Sequence, residues 1–397
     1  MACYALCPPC HPTCYIKSQR HRSVRCLGPD SLSAGTEGHQ GSHITPALVP
    51  SPRRSANYQS TSWNDSLIQS LTNDYMGRAH IAKLEELKGQ VRHLLGEAVG
   101  VAAELELVDV LQRLGVAYHF EQEIESILRT MYTNLEANRE ALDDDLLHTA
   151  LLFRLLRKHG LAVPQDVLNN FIDDQGRIRT SLGKDVEGIL SLYEASFLAY
   201  EGEEALQNVT TFTTTCLEEF LHDVDVKLEL KGRVGYALKI PLHWRAPRVY
   251  ARWFIDVYAR DDMVNPLLLE LAKRDFNMVQ SAHTRDVKEL SRWWNDLGIQ
   301  KLSFVRDRIM ECFLWTIGIA FEQHLWYCRH VLTKVAALVT TIDDVYDIYG
   351  SIDELESFTK AIESGSICAS LILWRQGGII ANTCQHLKST WEMHGYQ

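Results

Sequence analysis

Three carboxylates fall within five positions at Asp343-Asp344-Val345-Tyr346-Asp347. On a helix, Asp343 and Asp347 stand one turn apart and share a face. Asp344 then lies about 100° round the axis, at ~3.6 residues per turn. Unpaired carboxylates this close repel and lower each other's tendency to ionise, so the cluster costs stability unless a cation neutralises it. Mg²⁺ suits such a place, with Mn²⁺ as the alternative ion, because it takes one or two carboxylates and completes its shell with water and phosphate oxygens. One turn back come Ala336, Val339 and Thr340, small or apolar. A carboxylate rim above an apolar wall fits a ligand with a diphosphate head and a hydrocarbon tail. The same string also reads as a solvated, acidic helix end.

Two basic groups could serve the same ligand. Arg308 and Trp315 are seven apart, so a helix sets them in one stripe with Cys312. Arg306 is nine before Trp315 and lands nearly opposite, so spacing alone favours Arg308 as the pocket residue. The competing reading of Arg306-Asp307-Arg308 is a surface salt-bridge cluster, worth little energetically. The Trp315 ring could stabilise a cation through its face. The tandem Arg53-Arg54, folded over a pocket, is a strong anion site.

Asp-Asp-Val-Tyr-Asp, Arg306-Asp307-Arg308, Leu290-Ser-Arg-Trp-Trp294, and Arg53-Arg54 followed after eight residues by Trp63 together resemble a plant terpene synthase of the monoterpene type. The resemblance runs from Arg53 to about Glu363. It implies an all-α chain with a helical, α-barrel-like N-terminal domain over 53–262 and part of a class I metal-binding catalytic domain over 263–363. It implies Mg²⁺ held by Asp343, Asp344 and Asp347. Arg306 and Arg308 would face the departing diphosphate, Arg306 from a loop or first turn that reaches back. Trp315 would face the hydrocarbon, and Arg53 and Arg54 would cross the mouth of the site. Asp343, Asp347 and Thr340 would border the substrate, geranyl diphosphate, whose ionisation yields a monoterpene and diphosphate.

The family's second metal motif, (Asn/Asp)-Asp-x-x-(Ser/Thr)-x-x-x-Glu, has no match in the chain, and residues 364–397 depart from the family text. The expectation is therefore a truncated form, inactive or weak, with an aberrant tail. Two alternatives stand beside it: a cytosolic sesquiterpene synthase acting on farnesyl diphosphate, and a non-catalytic isoform that pairs with other synthases. The family points to a monomer or weak dimer.

Composition agrees with a helical frame. Seven of the 11 prolines lie in residues 1–52, leaving Pro164, Pro241, Pro247 and Pro266 for the rest. So few helix breakers over such a length point to an all-α protein. The first 52 residues are basic, hydroxyl-rich and acid-poor, the composition of an organelle transit peptide or of an ordinary disordered tail; with the resemblance, a plastid transit peptide is the expectation. A formal charge of −11 argues against a nucleic-acid partner, and no apolar run approaches a membrane span. Val186, Ile189, Leu190, Tyr193 and Phe197 recur at spacings of three and four, which predicts a half-buried helix. Asp143-Asp144-Asp145 reads as a charged helix start or a site. The scattered cysteines beyond residue 52 read as free thiols in a reducing compartment.

Overall fold

The computed structural model describes residues 54–363, except 174–176, 180–181, 225, 300–301 and 303. Arg53, the expected transit peptide and residues 364–397 lie outside the described residues. The helices run in order: α1 (Asp65–Ser70), α2 (Arg78–Glu97), α3 (Val101–Arg113), α4 (Glu121–Thr133), α5 (Leu135–Ala141), α6 (Leu146–Lys158), α7 (Val186–Ser196) and α8 (Glu204–His222). They continue as α9 (Leu228–Lys239), α10 (Pro247–Tyr258), α11 (Pro266–Leu297), α12 (Ile309–Ile319), α13 (Trp326–Asp344) and α14 (Ile352–Glu363). Among the described residues there is no named strand, only an isolated bridge between Ile172 and Ile178, and no helix is long and apolar enough to cross a membrane. The expected all-α class holds. Each proline after residue 52 sits where a helix begins: Pro247 and Pro266 open α10 and α11, and Pro164 and Pro241 cap short 3₁₀ turns. There the missing N–H costs no helical bond.

Two hydrophobic cores organise these helices. The larger gathers the buried faces of α2, α3, α4 and α6 to α10; Leu84, Leu87, Val91 and Leu95 of α2 show the three-four spacing of a one-sided helix. The smaller joins Ile68 of α1 to Val287, Leu290, Trp294, Ile309, Phe313 and Ala337. The single long helix α11 serves both. Its first half carries Leu268, Leu271, Ala272 and Met278 into the larger core, and its second half lines the smaller one. Asn265 caps it, accepting from the Leu267 amide at 3.0 Å, and Gly298 ends it at φ 69°. Its 32 residues span about 48 Å.

The periodicity over 186–197 misleads in one respect. α7 is buried all round from Gly188 to Ser196, not half-buried, because α6, α8 and α9 enclose it. Its polar positions are internal partners: the Ser191 hydroxyl donates to the Leu147 carbonyl at 3.0 Å, and Glu194 receives Arg113. Asp145 proves to be the cap of α6, accepting from the His148 amide at 3.0 Å.

A buried charge network crosses this interior. Arg113 Nε meets Asp109 at 2.6 Å, Arg154 Nη2 meets the other Asp109 oxygen at 2.6 Å, and both guanidiniums border Glu194. Burial pushes the Asp109 carboxyl up, but Arg113 and Arg154 outweigh it and hold it far below the ordinary 3.8. Glu194 is lowered by the same balance.

Buried histidines are depressed as well, here by burial itself. Burial depresses His243, helped by Arg154 and Lys158, and depresses His283, helped by Arg329 and Arg248 against the Phe321 carbonyl, each to about 4. Between the ordinary 6.5 and 4 the unfolded chain binds protons that these folded rings refuse, so stability falls as pH falls through that window. His148 opposes them: burial lowers it, but bonds to Glu106 and Asp145 raise it overall. His159 is lowered too, by burial and Lys158; with three depressed rings against one raised, the urea midpoint is expected to drop between pH 6.5 and 4. A midpoint that rises over this range contradicts the assignment.

Candidate diphosphate and metal site

The acidic segment lies where a regular helix stops. α13 ends at Asp344 and passes into a π-turn over Val345–Tyr349, closed by the Gly350 amide donating to the Val345 carbonyl at 2.8 Å. A Cβ on Gly350 would meet the Leu355 side chain at 2.6 Å and that carbonyl at 3.0 Å, so any larger residue requires Leu355 to shift. Asp343 and Asp347 are both exposed across this turn, while Asp344 is 1% exposed.

The aspartates therefore divide. Asp344 faces inward onto the loop before α12: its Oδ2 accepts from the Arg306 amide at 2.7 Å. Its Oδ1 stands 2.6 Å from Arg306 Nε, an ion pair without the alignment of a hydrogen bond. The pair uses Nε, so the two Nη nitrogens of Arg306 are not committed to it. Among the described residues, no group of three or more His, Cys, Asp or Glu is placed to hold a metal ion. Two outward carboxylates remain, and Mg²⁺ bound through one or two carboxylates plus a phosphate fits that donor set.

Arg306, Asp307 and Arg308 precede α12, which starts at Ile309. That resolves the spacing problem, because neither arginine is constrained by the helix. Burial raises the Asp307 carboxyl, partly offset by the Ile309 amide. Arg308 Nη2 donates to the Gln59 carbonyl at 2.7 Å and Nη1 to the Asp307 carbonyl at 2.8 Å. The Arg306 guanidinium lies over the Tyr58 ring at 4.7 Å. The segment Ser55–Thr61 thus lies against the basic loop and encloses with it a cavity of about 450 Å³. Arg54 is exposed at the start of that segment. The contacts of Tyr58 and Gln59 had no signal in the sequence, since one acts through a ring face and the other through its backbone.

An apolar face leads to the acids. Tyr327, Val331, Val335 and Val339 recur at every fourth position of α13 and are exposed, and Asp343 and Asp347 continue the same count. On the adjoining α12, Trp315 is 75% exposed and Ile319 is exposed beside it, whereas Cys312 turns into the smaller core. Thr340 is half-buried, its hydroxyl donating to the Ala336 carbonyl at 2.9 Å. Trp294 is core, and Trp293 is partly buried with Lys334 over its ring. Chemically, the arrangement offers two carboxylates for a cation, two guanidiniums for an anion, and a greasy face beside them.

The sequence profile for "Terpene synthase, N-terminal domain" matches residues 62–238, and that for "Terpene synthase family, metal binding domain" matches residues 295–379. A chloroplastic myrcene synthase of Quercus ilex is 48% identical over 318 residues, 80% of this chain and 53% of the relative. The chain thus spans about half the length of the curated relatives it matches. A limonene synthase solved with 2-fluorolinalyl diphosphate aligns at TM-score 0.74 and 41% identity, over 78% of this chain and 58% of that one. Isoprene synthase from grey poplar, solved with three Mg²⁺ ions and dimethylallyl-S-thiolodiphosphate, aligns at TM-score 0.68 and 40% identity, over 77% and 56% respectively.

Proposed function

We propose that this chain, which belongs to the terpene synthase family, carries the diphosphate-binding part of a monoterpene synthase that acts on geranyl diphosphate with Mg²⁺ in the plastid. The observation that carries the reading is the pair of outward carboxylates, Asp343 and Asp347, at the end of an exposed apolar face and next to the Arg306–Arg308 loop. Bound at those carboxylates, Mg²⁺ supplies Lewis-acid charge that stabilises the leaving diphosphate.

The chain's own residues account for the rest. Arg306 and Arg308 offer fixed positive charge to the phosphate oxygens, so the C–O bond can break with its electron pair leaving on diphosphate and no protein nucleophile. The allylic cation then lies along Trp315 and the valines of α13, where ring faces favour positive charge and apolar walls keep water away. Loss of a proton or capture of water completes the reaction. Support for a ten-carbon substrate comes from Arg53-Arg54 and from the limonene synthase seen with a linalyl diphosphate analogue. Support for the plastid comes from the composition of residues 1–52 and from the chloroplastic relative.

Calorimetric titration with non-ionising thiolo analogues of geranyl and farnesyl diphosphate, each with and without Mg²⁺, tests this. Binding should require the metal and favour the ten-carbon analogue by at least about 10-fold, the low end of what a single misplaced methylene is worth in a fitted pocket, for a difference of a whole five-carbon unit. Metal-independent binding, or preference for the fifteen-carbon analogue, sinks the proposal.

A further inference from the structure

The acidic turn and the basic loop also meet through a pair of aromatic rings. Phe304 and Tyr349 stack face to face, ring centroids 3.7 Å apart and planes within 11°. Phe304 precedes Arg306 by two residues, and Tyr349 closes the π-turn that begins after Asp344. Asp344 and Tyr349 are five apart. On an α-helix five residues turn through about 500°, leaving the two side chains roughly 140° apart. A π-turn bonds i to i+5, here Val345 to Gly350, and its wider turn brings residues five apart, such as Asp344 and Tyr349, closer to one side than an α-helix does.

We propose that Tyr349 is a positioning residue. Through its stack on Phe304, and through the π-turn that sets it on the same side as Asp344, it holds the Arg306–Arg308 loop against the acidic segment while Asp343 and Asp347 stay outward. The π-turn is thus what lets one short segment present two carboxylates to a ligand and two anchors to the loop. Regular α-helix would satisfy one demand or the other. Gly350 belongs to the same device, since its amide makes the closing bond and its missing side chain makes the space. The assignment rests on the reading of Asp343 and Asp347 given above only for its consequence, not for the coupling itself.

Native-state hydrogen exchange on the full chain reads the coupling without substrate. The reporter is the Arg306 amide, which donates to the buried Asp344 carboxylate, with α6 and α7 amides as the internal reference. Tyr349→Leu and Phe304→Leu should each speed Arg306 exchange by about 3- to 10-fold, the worth of one aromatic pair, with α6 and α7 unchanged. Tyr349→Phe keeps the ring and should keep the protection. Unchanged Arg306 exchange in both leucine variants overturns the proposal. So does a loss spread equally over α6 and α7, which would make the stack a general stabiliser. If Tyr349→Leu does not fold, Phe304→Leu in the loop decides alone. Titration of inorganic pyrophosphate with Mg²⁺ onto the same proteins separates the two ideas. A parent chain that never binds it condemns the proposed function, while the exchange result still judges the loop.

Discussion

Replacing Asp343 and Asp347 together by alanine is expected to weaken Mg²⁺-dependent binding of inorganic pyrophosphate by about 100-fold or more. The magnitude follows from the several kcal/mol of charge stabilisation that a metal contributes at such a site, with each 1.36 kcal/mol worth about tenfold. Both side chains are exposed, so their loss should move folding stability by no more than about 0.5 kcal/mol. Asp353, an exposed acid in the first turn of α14, supplies the control: Asp353→Ala changes net charge alone, which salt screens, and should alter binding by less than about twofold. Calorimetric titration at fixed Mg²⁺ measures both. Equal affinity in the double variant and the parent would remove the metal site from these residues, and with it the proposed chemistry.

Glu194→Ala is expected to destabilise the larger core by about 3–5 kcal/mol, the usual cost of stranding a buried charge. Arg113, Arg154 and Arg245 all lie within 4 Å of this carboxylate, and each is buried. Removing it leaves Asp109 as the acid for Arg113 and Arg154, and Arg245 without its carboxylate. Against a typical stability of 5–15 kcal/mol, that is a large share. Glu194→Gln removes the charge but keeps an oxygen that can accept from Arg113, and should be closer to the parent than Glu194→Ala is. Urea unfolding at pH 7 compares them; a cost below about 1 kcal/mol for Glu194→Ala would mean the guanidiniums find water or other partners. Because Asp109 and Glu194 are both held below their ordinary values of 3.8 and 4.5, their contribution is complete above that range and is lost as pH falls below it.

Much of this protein was legible in its residues taken in order. Proline placement settled the helical class, since a proline in a helix interior is costly wherever the helix lies in space. The spacing of Asp343 and Asp347 predicted a shared side, and both are exposed, although Asp347 falls in the π-turn where α-helical counting no longer applies. Arg306 and Arg308 could be named as anion ligands, though their spacing to Trp315 spoke against Arg306. What decided for a shared loop was the start of α12 at Ile309, and no local pattern marks that start.

Three things belonged to the tertiary structure alone. α7 shows a one-sided apolar stripe in sequence yet is enclosed on every side, because Glu194 and Ser191 find partners on α3 and α6 that are distant in the chain. Asp344 has the same chemistry as its neighbours, and only the nearby Arg306 amide and guanidinium account for its inward placement. The π-turn, finally, arises where the Gly350 amide closes on Val345 and Leu355 fills the glycine's empty side.

Sequence fixes which groups a segment can offer, because identity and spacing are local. Which side each group turns to is a matter of what stands there. If Arg306 exchange proves indifferent to Phe304 and Tyr349, that last decision was made by something other than the stack.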